Sequence, residues 1–119
     1  MPLCVPVLAV GLTVVWPALA QERYATRLCE KFWGAQEVRA KLRIDCDCVG
    51  RYLEQIKADP IDVEVQFRMF ASVYAGKVQE EAEALRSELG PKRYQEAVER
   101  SPGFLSGIMI RGGCRLEPS

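Results

Sequence analysis

Cys46-Asp47-Cys48 constrains this chain more than any other stretch. Two thiols one residue apart, at the start of an amphipathic pattern, can fasten one helix end to two other parts of the polypeptide. Beyond residue 20 the cysteines are Cys29, Cys46, Cys48 and Cys114. An even number in a short exported chain predicts two disulfides. One way of pairing them closes a small strained ring between Cys46 and Cys48, which is unusual for a structural bridge. The other two send Cys46 and Cys48 to different partners, Cys29 and Cys114, and the spacing does not choose between them. The Cα atoms of a bridge lie within ~7 Å, whereas one unbroken helix from 29 to 46 separates them by about 25 Å. The segment between must fold back, and Gly34 is the natural break. Chain entropy gives roughly 3 kcal/mol for the short loop and about 4 kcal/mol for the loop reaching Cys114. Those figures are comparable with the whole stability of a small domain.

The compartment follows from the N-terminal segment. Residues 1–20 carry no charged side chain, and Val5 to Val15 is apolar apart from Pro6, Gly11 and Thr13. The run ends in Ala18-Leu19-Ala20, the small-residue pattern a signal peptidase accepts, so it reads as a cleaved secretory signal. Cys4 lies too far upstream of that cut to carry a lipid anchor. The expectation is a single helical domain over 21–119 in the periplasm or outside the cell, with no stable membrane insertion after cleavage. Sixteen basic residues balance sixteen acidic ones, which argues against a nucleic-acid partner.

Helical periodicity organises the rest. Tyr24, Leu28, Phe32 and Trp33 form one face of a helix ending near Gly34. Val38 and Leu42 predict a short second helix with Arg39, Lys41 and Arg43 on its wet side. Asp45 is a predicted N-cap for a helix lined by Cys48, Val49, Tyr52, Leu53 and Ile56. Asp59-Pro60 restarts the chain as cap and first helical residue. Ile61, Val63, Val65, Phe67 and Met69 alternate as in a strand, yet Val65, Met69 and Val73 also satisfy helical spacing. The cap chemistry favours helix. Lys77–Leu89 and Lys92–Arg100 read as further helices, separated by Gly90-Pro91. Ser101-Pro102-Gly103 then turns the chain into an apolar tail. The fold class is therefore all-α: a small bundle of about five short helices cross-linked by two disulfides.

Composition removes most catalytic chemistry. With no histidine, Ser–His and Cys–His pairs and histidine-based zinc sites are absent, and no catalytic residue, metal or cofactor is assigned. Glu80, Glu81 and Glu83 read as the solvated side of a helix. Two features keep a functional reading. Cys46 and Cys48 near a helix N-terminus have the spacing of a redox pair, with thiolates favoured by the helix dipole. Phe104, Leu105, Ile108 and Met109 form an apolar face that is either a ligand or partner surface or a buried closing helix.

Cys48-Val49-Gly50-Arg51-Tyr52-Leu53 resembles the Cys-x-Gly-Tyr-aliphatic stretch of periplasmic immunity proteins that neutralise peptidoglycan-amidase effectors, with Arg51 interrupting the pattern. The general design, exported and helical with cysteines, is also similar to HdeA-like acid-stress chaperones, which depend on one disulfide. Neither resemblance supplies a catalytic residue. The resulting expectation is a non-enzymatic interaction protein, an inhibitor or immunity-type partner of another protein. The alternatives are a thiol–disulfide redox protein using Cys46 and Cys48, and a carrier of an apolar ligand held by Phe67, Phe70, Phe104 and Met109.

Overall fold

A computed structural model describes residues 23–119; the expected leader and its cut after Ala20 lie outside the described residues. Within them the chain forms seven α-helices and one two-stranded ribbon. Helix α1 (Tyr24–Leu28) continues without a break into a π-helical turn, Cys29–Trp33. Then come α2 (Gln36–Arg39), β1 (Leu42–Ile44), α3 (Cys46–Gln55), α4 (Pro60–Ala75), α5 (Val78–Leu89) and α6 (Pro91–Glu99). The short α7 (Phe104–Ser106) also runs into a π-turn, Gly107–Arg111, and β2 (Leu116–Pro118) closes the chain.

The all-α class holds, and so do the caps read from the sequence. The Asp45 carboxylate accepts from the Cys48 amide at 3.2 Å, and Asp59 accepts from the amides of Ile61 and Asp62 at 2.8 and 3.3 Å. Each satisfies donors that the first helical turn leaves without a partner. A Glu54 oxygen takes the Ala25 amide of α1 at 3.0 Å, so α3 caps α1 across space.

The second helix is shorter than the periodicity predicts. It stops at Arg39, and Leu42–Ile44 is a strand paired antiparallel with Leu116–Pro118, with Leu42 opposite Pro118 and Ile44 opposite Leu116. Leu42 and Ile44 both pack against the core while Arg43 between them faces water, a period of two that so short a segment cannot advertise. Its partner lies at the far end of the chain, two residues beyond the bridged Cys114.

The bridges are Cys29–Cys46 and Cys48–Cys114, with Cα–Cα distances of 5.5 and 5.6 Å. They send the two neighbouring cysteines to opposite sides of the start of α3. Gly50 lies one turn further on, where α1 crosses. A Cβ added there would overlap Thr26 Oγ1 and sit 2.6 Å from the Thr26 Cα and N. The two helices thus touch backbone to backbone, a separation only glycine permits.

Helix α4 is the spine. Its Val63 and Phe67 pack into the main core with Trp33, Val38, Val49, Leu53 and Ile108, while Val65 and Met69 pack into a second, smaller cluster with Leu85 and Ala97. Burial on two sides accounts for the strand-like alternation: successive odd-numbered apolar residues serve different cores. The indole N–H of Trp33 donates to the Phe67 carbonyl at 3.0 Å, and the two rings lie 4.2 Å apart. Buried Trp thereby places its polar atom as well as its bulk.

Candidate functional site

An apolar groove of about 440 Å³ runs along α4. Gln66, Met69, Phe70 and Val73 recur at helical spacing to form its floor, Val78 closes one end, and Ser101 to Ser106 form the opposite wall. Gly76, at φ 69°, ends α4 in the left-handed conformation and lets α5 turn back. Gly103, at φ 82°, turns the chain into α7. Gln66 Nε2 donates to the Ala97 carbonyl at 3.0 Å, holding the end of α6 on α4.

No charged residue lines this groove. Its hydroxyls are engaged locally, Ser101 Oγ donating to the Val98 carbonyl and Ser106 Oγ to that of Gly103. Of its lining residues Val73 is 61% exposed and Val78 42%. Exposed apolar side chains lining one uncharged groove are the informative kind of exposure.

The residues singled out from the sequence divide between core and surface. Phe104 and Leu105 are half-buried and line the groove. Met109 is exposed and is not among the residues that line it. Ile108 is fully buried in the main core, so it is removed from the expected contact surface: its side chain faces inward, opposite Met109. Of the aromatic residues invoked for a carrier, Phe67 is also core. Its ring meets Trp33 on one side and Phe104, at 5.9 Å, on the other, so these rings fill space rather than enclose a cavity. Cys46 and Cys48 do not form a dithiol pair with each other, because each is bonded elsewhere.

Arg39 and Arg43 border a second, polar depression of about 590 Å³ together with Glu30 and Ser119. Arg43 stands opposite Glu117 in the ribbon, so charge there is mixed. Among the described residues no group of three His, Cys, Asp or Glu side chains converges as metal ligands, and no helix is long and apolar enough to cross a membrane.

Two ion-pair networks fix the α5–α6 hairpin that forms part of the groove. Arg68 binds Glu64 at 3.0 Å, Glu88 at 2.8 Å, and Glu81. Hydrogen bonding to Glu88 above all raises the Arg68 pKa, and the same contact lowers that of Glu88. Asp62 joins Arg93 at 2.9 Å and Arg100 at 2.6 Å, and Arg93 also reaches Asp59 at 3.0 Å. Glu81 is therefore engaged, unlike the solvated residue expected from the sequence, whereas Glu80 and Glu83 are exposed. Among the ion pairs, the linear chain shows those one helical turn apart, Glu64–Arg68 and Glu96–Arg100.

Compared with protein-family models, curated proteins and solved structures, the chain matches none. Within the hexapeptide that resembles the immunity proteins, the packing roles are direct. Cys48 is bridged, Gly50 admits Thr26, and Leu53 fills the core. Tyr52 lies against the C-terminal π-turn, where a Cβ on Gly112 would come within 2.9 Å of its ring.

Proposed function

We propose that this protein is a small exported, non-enzymatic interaction protein that docks an apolar segment of another protein in the groove between α4 and α7. One observation carries the reading: an uncharged groove of about 440 Å³ whose floor leaves Val73 61% exposed. An apolar groove beside a long helix suits the uncharged face of a partner helix, whose side chains meet Met69, Phe70 and Val73 at matching intervals. Two disulfides holding the other half of the molecule support residence in an oxidising compartment. The absence of histidine supports a non-enzymatic role. An inhibitor or immunity-type protein is the form of this reading closest to the sequence.

The redox alternative loses its motif when Cys46 and Cys48 serve separate bridges. The carrier alternative is weakened by the open groove and by Phe67 belonging to the core.

The test replaces Val73 with a photo-cross-linking residue and exposes the folded protein to an extract of the cells that make it. The expected outcome is one discrete protein adduct. That partner, once purified, should bind the native chain, fail to bind Val78→Glu, and bind Arg39→Glu unchanged. Equal binding to all three would put the site elsewhere, and the reading would fall.

A further inference from the structure

We infer that the α5–α6 hairpin is a hinged lid on the groove: it leaves α4 as one unit while the disulfide-bonded half stays folded, and so lengthens the apolar floor along α4. The inference deepens the docking reading proposed above, resting on it for the use of the groove but not for the motion.

Core membership supplies the first argument. Among the described residues, none from 77 to 103 packs in the main core. The hairpin packs chiefly on α4 and on itself, around Val65, Leu85 and Ala97. Undocking it therefore removes no side chain from the cluster that joins α1, α3, α4 and the C-terminal π-turn. Both disulfides lie in that cluster, with Cys29 and Cys114 among its buried members and Cys46 and Cys48 packed against it. Cross-linking fastens that half and leaves the docking of the hairpin to non-covalent contacts.

The path of the chain supplies the second. It leaves the main core after Tyr74 and rejoins it at Phe104. A left-handed glycine stands at each junction, Gly76 at φ 69° and Gly103 at φ 82°. Outside its own turn, no described atom lies within 4 Å of where a Cβ on Gly76 would sit. Both ends of the hairpin are thus anchored by the same core, and the hairpin swings without drawing either neighbour with it.

The fastenings are few. Arg68 of α4 binds Glu81 and Glu88 of α5, Arg93 of α6 binds Asp59 and Asp62, and Arg100 also reaches Asp62. Ion pairs open to solvent exchange for water at small net cost. Only Val65, Leu85 and Ala97 are fully buried in the second cluster, and scarce apolar burial marks a segment of low opening free energy. The consequence falls on the groove. Met69 belongs both to its floor and to the hairpin cluster, and Val78 at the start of α5 closes its end. Opening carries Val78 away and joins Val65 to Met69 and Val73, residues four apart on one face of α4, in a strip that takes more turns of a partner helix.

Hydrogen exchange followed by NMR, on the folded chain with both disulfides intact and at several low urea concentrations, tests the motion. The amides of residues 83–89 and 95–98 should share one opening free energy, lower than that of the Leu53 amide in α3 and less dependent on urea. Arg68→Met should accelerate the hairpin amides about tenfold. Val49→Ala, in the main core, should accelerate exchange at Leu53 and leave the hairpin amides unchanged, because the open form keeps that core. Hairpin and α3 amides sharing one opening free energy would overturn the inference. So would a common response to Val49→Ala, or hairpin exchange indifferent to Arg68→Met. A single cooperative unit with a partner still cross-linked at Val73 sinks the lid alone; an independently opening hairpin with no partner adduct sinks the proposed function alone.

Discussion

Replacing Gly50 with Ala tests whether α1 and α3 are held at backbone contact. The added Cβ would overlap Thr26 Oγ1 and fall 2.6 Å from both the Thr26 Cα and N. Rotating the Thr26 side chain relieves only the first of these. The backbone contacts require the helices to separate, and the Cys29–Cys46 bridge joins these same two elements close by. Overpacking a well-filled core costs about 1–3 kcal/mol, sometimes more, and a clash with backbone belongs at the upper end. Ala is a better helix former than Gly by about 1 kcal/mol, which offsets part of that. The net expectation is a loss of about 2 kcal/mol or more, or roughly 8–16 °C in Tm for a domain of this size. Thermal and urea unfolding followed by circular dichroism, with the disulfides intact, would measure it. Thr26→Ala combined with Gly50→Ala should recover little, because the Cα and N of residue 26 remain in place. An unchanged Tm in the single variant, or full recovery in the double, would refute the claim that the crossing is set by backbone contact.

Other perturbations probe the remaining links. Arg68→Lys keeps the charge but loses the planar fork that reaches Glu64, Glu81 and Glu88 together; it should lower stability by about 1–2 kcal/mol in urea titrations, and native stability would contradict the clasp. Because Arg68 lowers the Glu88 pKa, that contribution is present above the ordinary carboxylate range and lost as pH falls through the lowered folded value. Acid titration of Glu88 followed by NMR should place it below its ordinary value, and Arg68→Met should return it there. Burial foremost, then the nearby Glu54 and Asp59 charges, raises the Tyr24 pKa, and its hydroxyl donates to the Ala58 carbonyl. The resulting stabilisation is full below the ordinary tyrosine value and lost as pH rises through the folded one, so Tyr24→Phe should flatten the alkaline decline in Tm. Removing the Cys48–Cys114 bridge with paired serines should cost about 2–5 kcal/mol and free β2 from β1, seen as faster amide exchange at Arg43, which stands opposite Glu117 in the ribbon; unchanged exchange would show that the ribbon stands without its tether.

Much of the fold was legible because its signals are local. Asp45 and Asp59-Pro60 mark helix starts by chemistry that acts within three residues, and Gly90-Pro91 marks a stop in the same way. The cysteine spacing required the chain to double back between 29 and 46. It could not choose the pairing, because residues 46 and 48 differ by only two positions in their distance along the sequence to either partner. The tertiary structure decided that choice, and with it the strand at Leu42–Ile44, whose partner Leu116–Pro118 follows closely after the bridged Cys114. Packing likewise decided the fate of the apolar tail. Sequence placed Ile108 and Met109 together as one candidate face, whereas neighbouring helices buried the first and left the second in water. The groove arises from α4 and α7, elements remote in sequence, and no pattern within either one records the gap between them.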